Sequence, residues 1–187
     1  MFTWWFSTFS FFSFLDQVGN GKTNTQRALD CGAGIGRVTK RLLLPLFDTV
    51  DMVEVNQKFL DSAPKFIAEQ SARVENYFCS GLQEFIPQDN HYDIIWCQWV
   101  LGHLTEEHLI NFFHRCRKGL RADGMIMIKE NVAATDDDEF DEKDSSFTRS
   151  KKSLTDIILK SGLTIIKEQK QKGFPKGLYE VYIFALR

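Results

Sequence analysis

The sequence lacks several patterns that would assign a function at once. Its four cysteines, Cys31, Cys79, Cys97 and Cys116, include no CxxC pair, so we expect no bound metal and no redox dithiol. We predict buried free thiols instead. No run of about 20 apolar residues is present to span a membrane. The formal net charge of -2 gives no general attraction to nucleic acid, so we expect neither a membrane span nor a nucleic-acid partner.

The first fifteen residues, MFTWWFSTFSFFSFL, contain eight aromatic side chains and no charged one. They also lack the basic start and the small-residue cleavage site of a secretory signal. Three interpretations stay open: a segment packed on the domain, a divergent start, and an anchor on a membrane surface. We divide the chain into an aromatic N-terminal segment with its linker, 1–26, and a single domain, 27–187.

Apolar runs of strand length alternate with segments of helical period along this domain. Strands are predicted at 28–31, 49–55, 74–79, 92–97 and 125–132, with two more in the closing runs LTIIKEQ and LYEVYIFAL. Helices are predicted over 36–47, 57–70, 105–120 and 147–161. Thr105 suits an N-cap, and Gly162 suits the residue after the last helix. The alternation favours an α/β, Rossmann-like doubly wound sheet of seven strands, mostly parallel with an antiparallel C-terminal pair.

The segment ALDCGAGIGR, from Ala28 to Arg37, contains a glycine-spaced turn of the kind that cradles nucleotides. Arg37 occupies the position that would complete a dinucleotide GxGxxG, and the Lys-Ser/Thr pair of a P-loop is missing. An acid at Asp30 and a base at Arg37 suit a zwitterion such as the methionine part of S-adenosylmethionine (SAM). Glu54, which ends the second predicted strand, suits the two ribose hydroxyls of an adenosine. The turn therefore favours SAM over NAD or a nucleoside triphosphate.

Four features together carry a more specific resemblance: DCGAGIGR, the strand-end Glu54, GLQEF at 81–85 and DIIWCQWVLGHL at 93–104. They resemble the class I SAM-dependent methyltransferases and, more narrowly, the protein N-terminal Xaa-Pro-Lys methyltransferases, from about Leu15 to Arg187. The resemblance implies methyl transfer from SAM to the α-amine of proteins that begin with Xaa-Pro-Lys/Arg, in the nucleus and cytoplasm. We expect a monomer. Carried over by position, the SAM contacts fall on Gly32, Arg37, Glu54, Asn56, Leu82, Gln83 and Gln98.

Methyl transfer to an amine requires a neutral amine in line with the methyl group. Because an α-amine has an ordinary pKa of about 7.7 to 8.0, a modest base such as His or Asp suffices. The resemblance gives this catalytic role to His103, with Asp144 sharing it. It places further substrate contacts on Trp99, Asn131, Asp141, Asp144, Ser146 and Tyr179.

The run DDDEFDEKDSS, residues 136–146, is strongly acidic. A solvated loop is the simplest interpretation of such a run. However, the DxxDSS pattern of the resembling family is met by Asp141, Asp144, Ser145 and Ser146. Carboxylates there imply selection of Lys or Arg at the third substrate position.

Two alternatives stay open. The family's N-terminal lid, which carries a tryptophan and a glycine-rich stretch, finds no match in this sequence, and this predicts an open cofactor edge. A non-catalytic, truncated member that binds N-terminal motifs or a partner is therefore the first alternative. The second is a methyltransferase for a small molecule or nucleic acid, which the acidic run disfavours because a polyanion would be repelled.

Overall fold

The computed structural model describes residues 22–173 and 177–187, so the aromatic segment 1–15 lies outside the described residues. The first five strands are β1 Arg27–Cys31, β2 Thr49–Glu54, β3 Val74–Cys79, β4 Tyr92–Gln98 and β5 Leu120–Val132. The remaining strands are β6 Glu139–Asp141, β7 Ser146–Thr148, β8 Ile165–Lys170 and β9 Glu180–Leu186. The α-helices are α1 Gln57–Ile67, α2 Glu106–Gly119 and α3 Lys151–Lys160.

Seven strands form one sheet in the order β3-β2-β1-β4-β5-β9-β8, and β6 pairs with β7 in a separate hairpin. Strands β1 to β5 are parallel to their neighbours, whereas β9 is antiparallel to both β5 and β8. The predicted fold class is therefore confirmed. In register, Cys31 pairs with both Val53 and Cys97, and Gln98 pairs with Lys129. The glycine turn, the end of β2 and the segment after β4 consequently meet at one edge of the sheet.

Apolar side chains cover both faces of the sheet. Helix α2 buries Leu109, Phe112, Phe113 and Cys116 against one face, and the strand β4 is buried along most of its length. Thr105 caps α2 as predicted, since its hydroxyl accepts a hydrogen bond from the backbone N–H of His108. None of the helices among the described residues is both long and apolar enough to cross a membrane.

The segment predicted as a helix over 36–47 is helical but wider than an α-helix. It contains a π-helical stretch, Thr39–Leu43, in which the N–H of Leu44 donates to the carbonyl of Thr39 at 2.9 Å. Pro45 follows and has no N–H with which to continue the usual four-residue pattern. The prediction was thus right about helical backbone and wrong about its width.

Several predicted boundaries were wrong. The helix predicted over 57–70 ends at Ile67, because Ala68 has a φ of +63°, which a right-handed helix does not contain. The fifth strand begins at Leu120 rather than Met125, since Leu120 already pairs with Tyr92 across an irregular register.

The helix predicted over 147–161 starts too early. Phe147 belongs to β7 and pairs with Phe140 of β6, and the two rings lie 4.7 Å apart between centroids. Helix α3 begins only at Lys151, where the hydroxyl of Ser150 accepts a hydrogen bond from the N–H of Ser153. A hairpin with three-residue strands therefore precedes the helix.

The thiol prediction was wrong at one position. Cys31, Cys97 and Cys116 are buried and free, but Cys79 is exposed. Cys79 is the last residue of β3, the edge strand of the sheet, where packing covers less of the backbone.

Replacing Phe112 with Ala is expected to lower the free energy of unfolding by about 3 to 5 kcal/mol, because the ring is fully buried under the sheet. The exposed ring of Phe140, 53% accessible, provides the matched control, and Phe140→Ala should cost less than about 1 kcal/mol. Denaturant unfolding of both variants measures the difference. Equal losses would contradict this assignment of the core.

Candidate active site

A cavity of about 390 Å³ opens at the carboxyl edge of β1, β2 and β4. Small-molecule sites commonly enclose about 300 to 1,000 Å³. Six of the predicted site residues line it: Gly32, Glu54, Leu82, Gln83, Trp99 and His103. The predicted residues outside its lining are Arg37, Asn56, Gln98, Asn131, Asp141, Asp144, Ser146 and Tyr179. The structure thus brings part of the predicted cofactor set together with Trp99 and His103 in one space.

The glycine turn is left-handed at Gly32, Gly34 and Gly36, with φ values of +68°, +56° and +87°. Glycine adopts this region without the steric cost that a side chain brings. At Gly32, a Cβ would lie only 2.4 Å from Cγ2 of Val100, whereas a Cβ at Gly34 would meet nothing within 4 Å. Gly32 is therefore required by close packing, whereas the space beside the Cα of Gly34 is open.

Glu54 lies across the cavity edge from this turn. Its Oε2 accepts a hydrogen bond from Gly34 N at 3.0 Å, and its Oε1 accepts one from Asn56 N at 2.9 Å. Each carboxylate oxygen has a second lone pair available to a ligand hydroxyl. The two acceptor oxygens of Glu54 therefore fit the hydroxyl donors of the adenosine ribose, and the cavity fits a molecule of the size of SAM.

Asp30 does not face the cavity, contrary to its expected role at the start of the turn. It is 2% exposed and accepts hydrogen bonds from the backbone N–H of Thr39 at 3.0 Å and from its hydroxyl at 2.6 Å. Burial raises the pKa of Asp30 to about 7, against the lowering effect of both hydrogen bonds. Asp30 thus anchors the glycine turn to the helical segment behind it.

Three other predicted cofactor residues have different surroundings. The side chain of Asn56 accepts a hydrogen bond from Lys58 N and caps α1. Gln98 Oε1 accepts one from Trp96 Nε1 at 3.3 Å. Arg37 is exposed and forms no ion pair with another described residue. Arg37 is the charged residue of the three, and its guanidinium is open to a ligand carboxylate.

The backbone after β4 is strained at Trp99, which has a φ of +52° and is 47% exposed. Its backbone N–H donates to the Lys129 carbonyl at 3.0 Å, and its indole Nε1 donates to Asn131 Oδ1 at 3.2 Å. The ammonium of Lys129 lies 5.1 Å from the centroid of the ring, within cation–π range. Burial lowers the pKa of Lys129 to about 8. These contacts hold the Trp99 ring at the mouth of the cavity.

Two residues that the sequence analysis missed hold the His103 turn, residues 100–104. Glu130 Oε1 accepts hydrogen bonds from the N–H groups of Val100 at 2.9 Å and Leu101 at 3.0 Å. Burial raises the pKa of Glu130 to about 7, although these hydrogen bonds oppose the shift. The guanidinium of Arg149 donates to the carbonyls of Leu101, at 3.0 Å, and Leu104. In the sequence, Glu130 could have been noticed because it lies near the end of a predicted strand. No feature of the sequence marked Arg149.

The acidic hairpin, β6 to β7, packs directly against the His103 turn. A Cβ at Gly102 would lie 2.8 Å from the carbonyl oxygen of Phe147. Within the hairpin, Asp144 Oδ1 accepts a hydrogen bond from the Ser146 hydroxyl at 2.6 Å, and Asp141 Oδ1 accepts one from Lys143 N at 2.8 Å. The structure therefore places the hairpin that carries the predicted acids beside the turn that carries His103.

Tyr179 lies next to the same hairpin. Its hydroxyl donates to Glu139 Oε2 at 2.6 Å, and the residue is 41% exposed. Hydrogen bonding to Glu139 raises the pKa of Tyr179. The hydroxyl of Tyr179 is thus hydrogen-bonded to the hairpin, and the exposed part of the tyrosine ring is open to a substrate.

Comparison with known proteins gives a consistent picture. The sequence model of the family described as AdoMet-dependent proline di-methyltransferase matches residues 7–187. N-terminal Xaa-Pro-Lys N-methyltransferase 1 of Danio rerio is 56% identical over 169 residues, which are 90% of this chain and 75% of that protein. The protein of the same name from Homo sapiens is 50% identical over 169 residues, with the same coverage.

Solved structures agree. A SAM-dependent methyltransferase from Leishmania major matches with a TM-score of 0.87 and 34% identity, over 94% of this chain and 69% of that one. A glycopeptide N-methyltransferase in complex with SAM matches with a TM-score of 0.73 over 87% of this chain and 82% of its own, but at 15% identity it shows the fold alone.

Asp30→Asn tests the buried carboxyl. Because its pKa is raised from 3.8 to about 7, its contribution to stability is full below 3.8 and is lost as the pH rises to about 7. Asn keeps an oxygen for Thr39 but carries no charge. The free energy of unfolding of Asp30→Asn should therefore rise relative to that of the native protein as the pH increases from about 4.5 to about 7.5, by up to about 1.4 kcal/mol per pH unit, and its Tm should rise with it.

Thermal scans across this range measure the effect. Asp48→Asn, at an exposed carboxylate, is the control and should keep a constant difference from the native protein. Parallel curves for Asp30→Asn would show that the buried group does not titrate in this window.

Proposed function

The chain belongs to the AdoMet-dependent proline di-methyltransferase family, and we propose that it methylates the α-amine of proteins that begin with Xaa-Pro-Lys/Arg. One observation carries the proposal. Glu54, Leu82 and Gln83, which are expected to hold the cofactor, line the same cavity as Trp99 and His103. A cofactor bound by the first three residues therefore shares one space with the residues expected to hold the amine.

SAM, when bound, supplies an electrophilic methyl group on a sulfonium. We assign its ribose to Glu54 and the carboxylate of its methionine part to Arg37, which is exposed and open to a forked contact. Leu82, buried at 6% exposure, and Gln83 flank the cavity at the adenosine end. Asn56 Oδ1 already caps α1, and Gln98 Oε1 already accepts a hydrogen bond from the Trp96 indole. These two side chains would therefore contact the cofactor through their remaining hydrogen-bonding capacity.

The substrate amine must lose its proton before it can attack. His103 lines the cavity and accepts or relays this proton at its imidazole, and Asp144, on the adjacent hairpin, assists. Asn131 holds the indole of Trp99 through Oδ1, which leaves its amide Nδ2 for the first peptide group of the substrate. The ring of Trp99 then forms a wall for the proline that follows.

The acidic hairpin accounts for selection of a basic third residue. Asp141 and Asp144 each use one oxygen within the hairpin and keep the other for a ligand cation. An extended peptide rises about 3.3 Å per residue, so the third side chain lies about 7 Å from the first. Since the hairpin borders the His103 turn, Lys or Arg at that position reaches its carboxylates. We propose that the protein acts on these substrates as a monomer.

Incubation with labelled SAM and a peptide that begins Ser-Pro-Lys is expected to label the α-amine of the peptide. An N-acetylated peptide of the same sequence should remain unlabelled, and a Ser-Pro-Glu peptide should lose at least about tenfold in kcat/KM because its charge is repelled by the hairpin. Label on the acetylated peptide would contradict the assignment. Binding of the free peptide without transfer, measured by calorimetry, would favour the non-catalytic alternative.

His103→Asn should reduce kcat by about 10- to 100-fold at pH 7, while the Kd for SAM changes less than about twofold. The loss should shrink near pH 9, because the α-amine is then neutral without help. Asp144→Asn is expected to lower kcat and to raise KM for the Ser-Pro-Lys peptide. Equal losses of SAM binding and turnover would instead make both residues structural.

A further inference from the structure

Arg149 lies immediately after β7 and is 6% exposed, although it carries a charged group. Its guanidinium donates to the carbonyls of Leu101 and Leu104 and lies 5.5 Å from the centroid of the Phe147 ring. Its own carbonyl accepts a hydrogen bond from Ala133 N at 2.9 Å, which ties it to the end of β5. A buried guanidinium needs polar partners, and this one finds them in the backbone of a single turn.

The two carbonyls that Arg149 binds stand on either side of His103. Leu101 is two residues before it and Leu104 is the next residue after it. The backbone that carries the imidazole is therefore held by hydrogen bonds on both sides of His103. The start of the turn is held through the N–H groups of Val100 and Leu101, which both donate to Glu130. At Gly102 the turn packs closely on the hairpin, because a Cβ there would lie 2.8 Å from the carbonyl oxygen of Phe147. Arg149 thus fixes the backbone on both sides of His103.

We propose that Arg149 is a positioning residue for His103, which it holds at the cavity while it joins the His103 turn to the acidic hairpin. Arg149 does not line the cavity. It acts by keeping the imidazole at the distance that proton transfer requires, and a displacement of about 1 Å can cost a large part of the rate. The inference rests on the proposed function, because it concerns the rate of that reaction.

Two other arginines of the chain provide built-in comparisons. Arg115, on α2, donates to the carbonyls of Leu82, Gln83 and Phe85, and so holds the turn at the adenosine end of the cavity. Arg187 donates to the carbonyls of Asp123 and Gly124, near the start of β5 and away from the cavity. Arginine side chains thus donate to backbone carbonyls at the His103 turn, at residues 82–85 and in the first half of β5.

The first experiment compares Arg149→Met, Arg115→Met and Arg187→Met with the native protein. We expect Arg149→Met to lower kcat for a Ser-Pro-Lys peptide about tenfold at pH 7 with the SAM Kd within about twofold. Arg115→Met should chiefly raise the SAM Kd, and Arg187→Met should change neither. Arg149→Lys, which can reach one carbonyl at a time, should lose about threefold. A loss of SAM binding in Arg149→Met equal to its loss of kcat would overturn the proposal.

The second experiment is a double-mutant cycle with His103→Asn, run at about pH 8.5 so that the neutral amine sustains a measurable rate. If Arg149 acts through His103, Arg149→Met lowers kcat about tenfold in the native background and less than about twofold in His103→Asn. Equal fold losses in both backgrounds would overturn the inference. If Arg149→Met does not fold, Arg149→Lys takes its place in the cycle. Absence of methylation by the native protein would instead refute the proposed function.

Discussion

The contact between Gly32 and Val100 is the constraint on which the two halves of the site depend. Gly32 directly follows β1, and Val100 begins the turn that carries His103. A Cβ at position 32 would lie only 2.4 Å from Cγ2 of the valine. Because a short β-branched side chain packs directly on the glycine backbone, the distance between the glycine turn and the His103 turn is set by close packing rather than by long, flexible side chains.

The carboxyl groups of Asp30 and Glu130 stabilise the glycine turn and the His103 turn through hydrogen bonds. Asp30 binds the helical segment after the glycine turn, and Glu130 binds the turn after β4. Burial raises both carboxyl pKa values to about 7, so their contribution to stability is lost as the pH rises from their ordinary range towards 7. Yet an ionised carboxylate accepts stronger hydrogen bonds than a neutral one. The pH that favours a neutral substrate amine therefore costs folding stability while it strengthens the hold on both turns.

Much of the fold follows from local patterns. The inner strands β1, β2 and β4 are largely buried because packing covers both faces of the sheet there, and Thr105 and Gly162 mark helix ends through their own chemistry. The hairpin β6–β7 escaped prediction because strands of three residues carry almost no periodicity. The π-helical width at 39–43 depends on one proline and on a buried acid nine residues away, which no periodic pattern reports.

The candidate site also contains residues that can be predicted from the sequence and residues that cannot. Glu54 and the glycine turn are recognisable because their chemistry is local and faces the ligand. Arg149 acts on carbonyls 45 and 48 positions away, and backbone carbonyls have no signature in a sequence. Long-range side-chain to backbone contacts of this kind become visible only once the topology has placed the two segments together.

The carboxylates of the acidic run, residues 136–146, have different roles in the structure. In the sequence its carboxylates are equivalent, but Asp138 accepts hydrogen bonds from Ser150 N and the Ser153 hydroxyl, and Glu139 accepts the Tyr179 hydroxyl. These two acids build the hairpin and the start of α3. Asp141 and Asp144 spend one oxygen each on local turns. Asp141 and Asp144 are the acids that we propose for recognition of a substrate cation, whereas Asp138 and Glu139 are used within the structure around them.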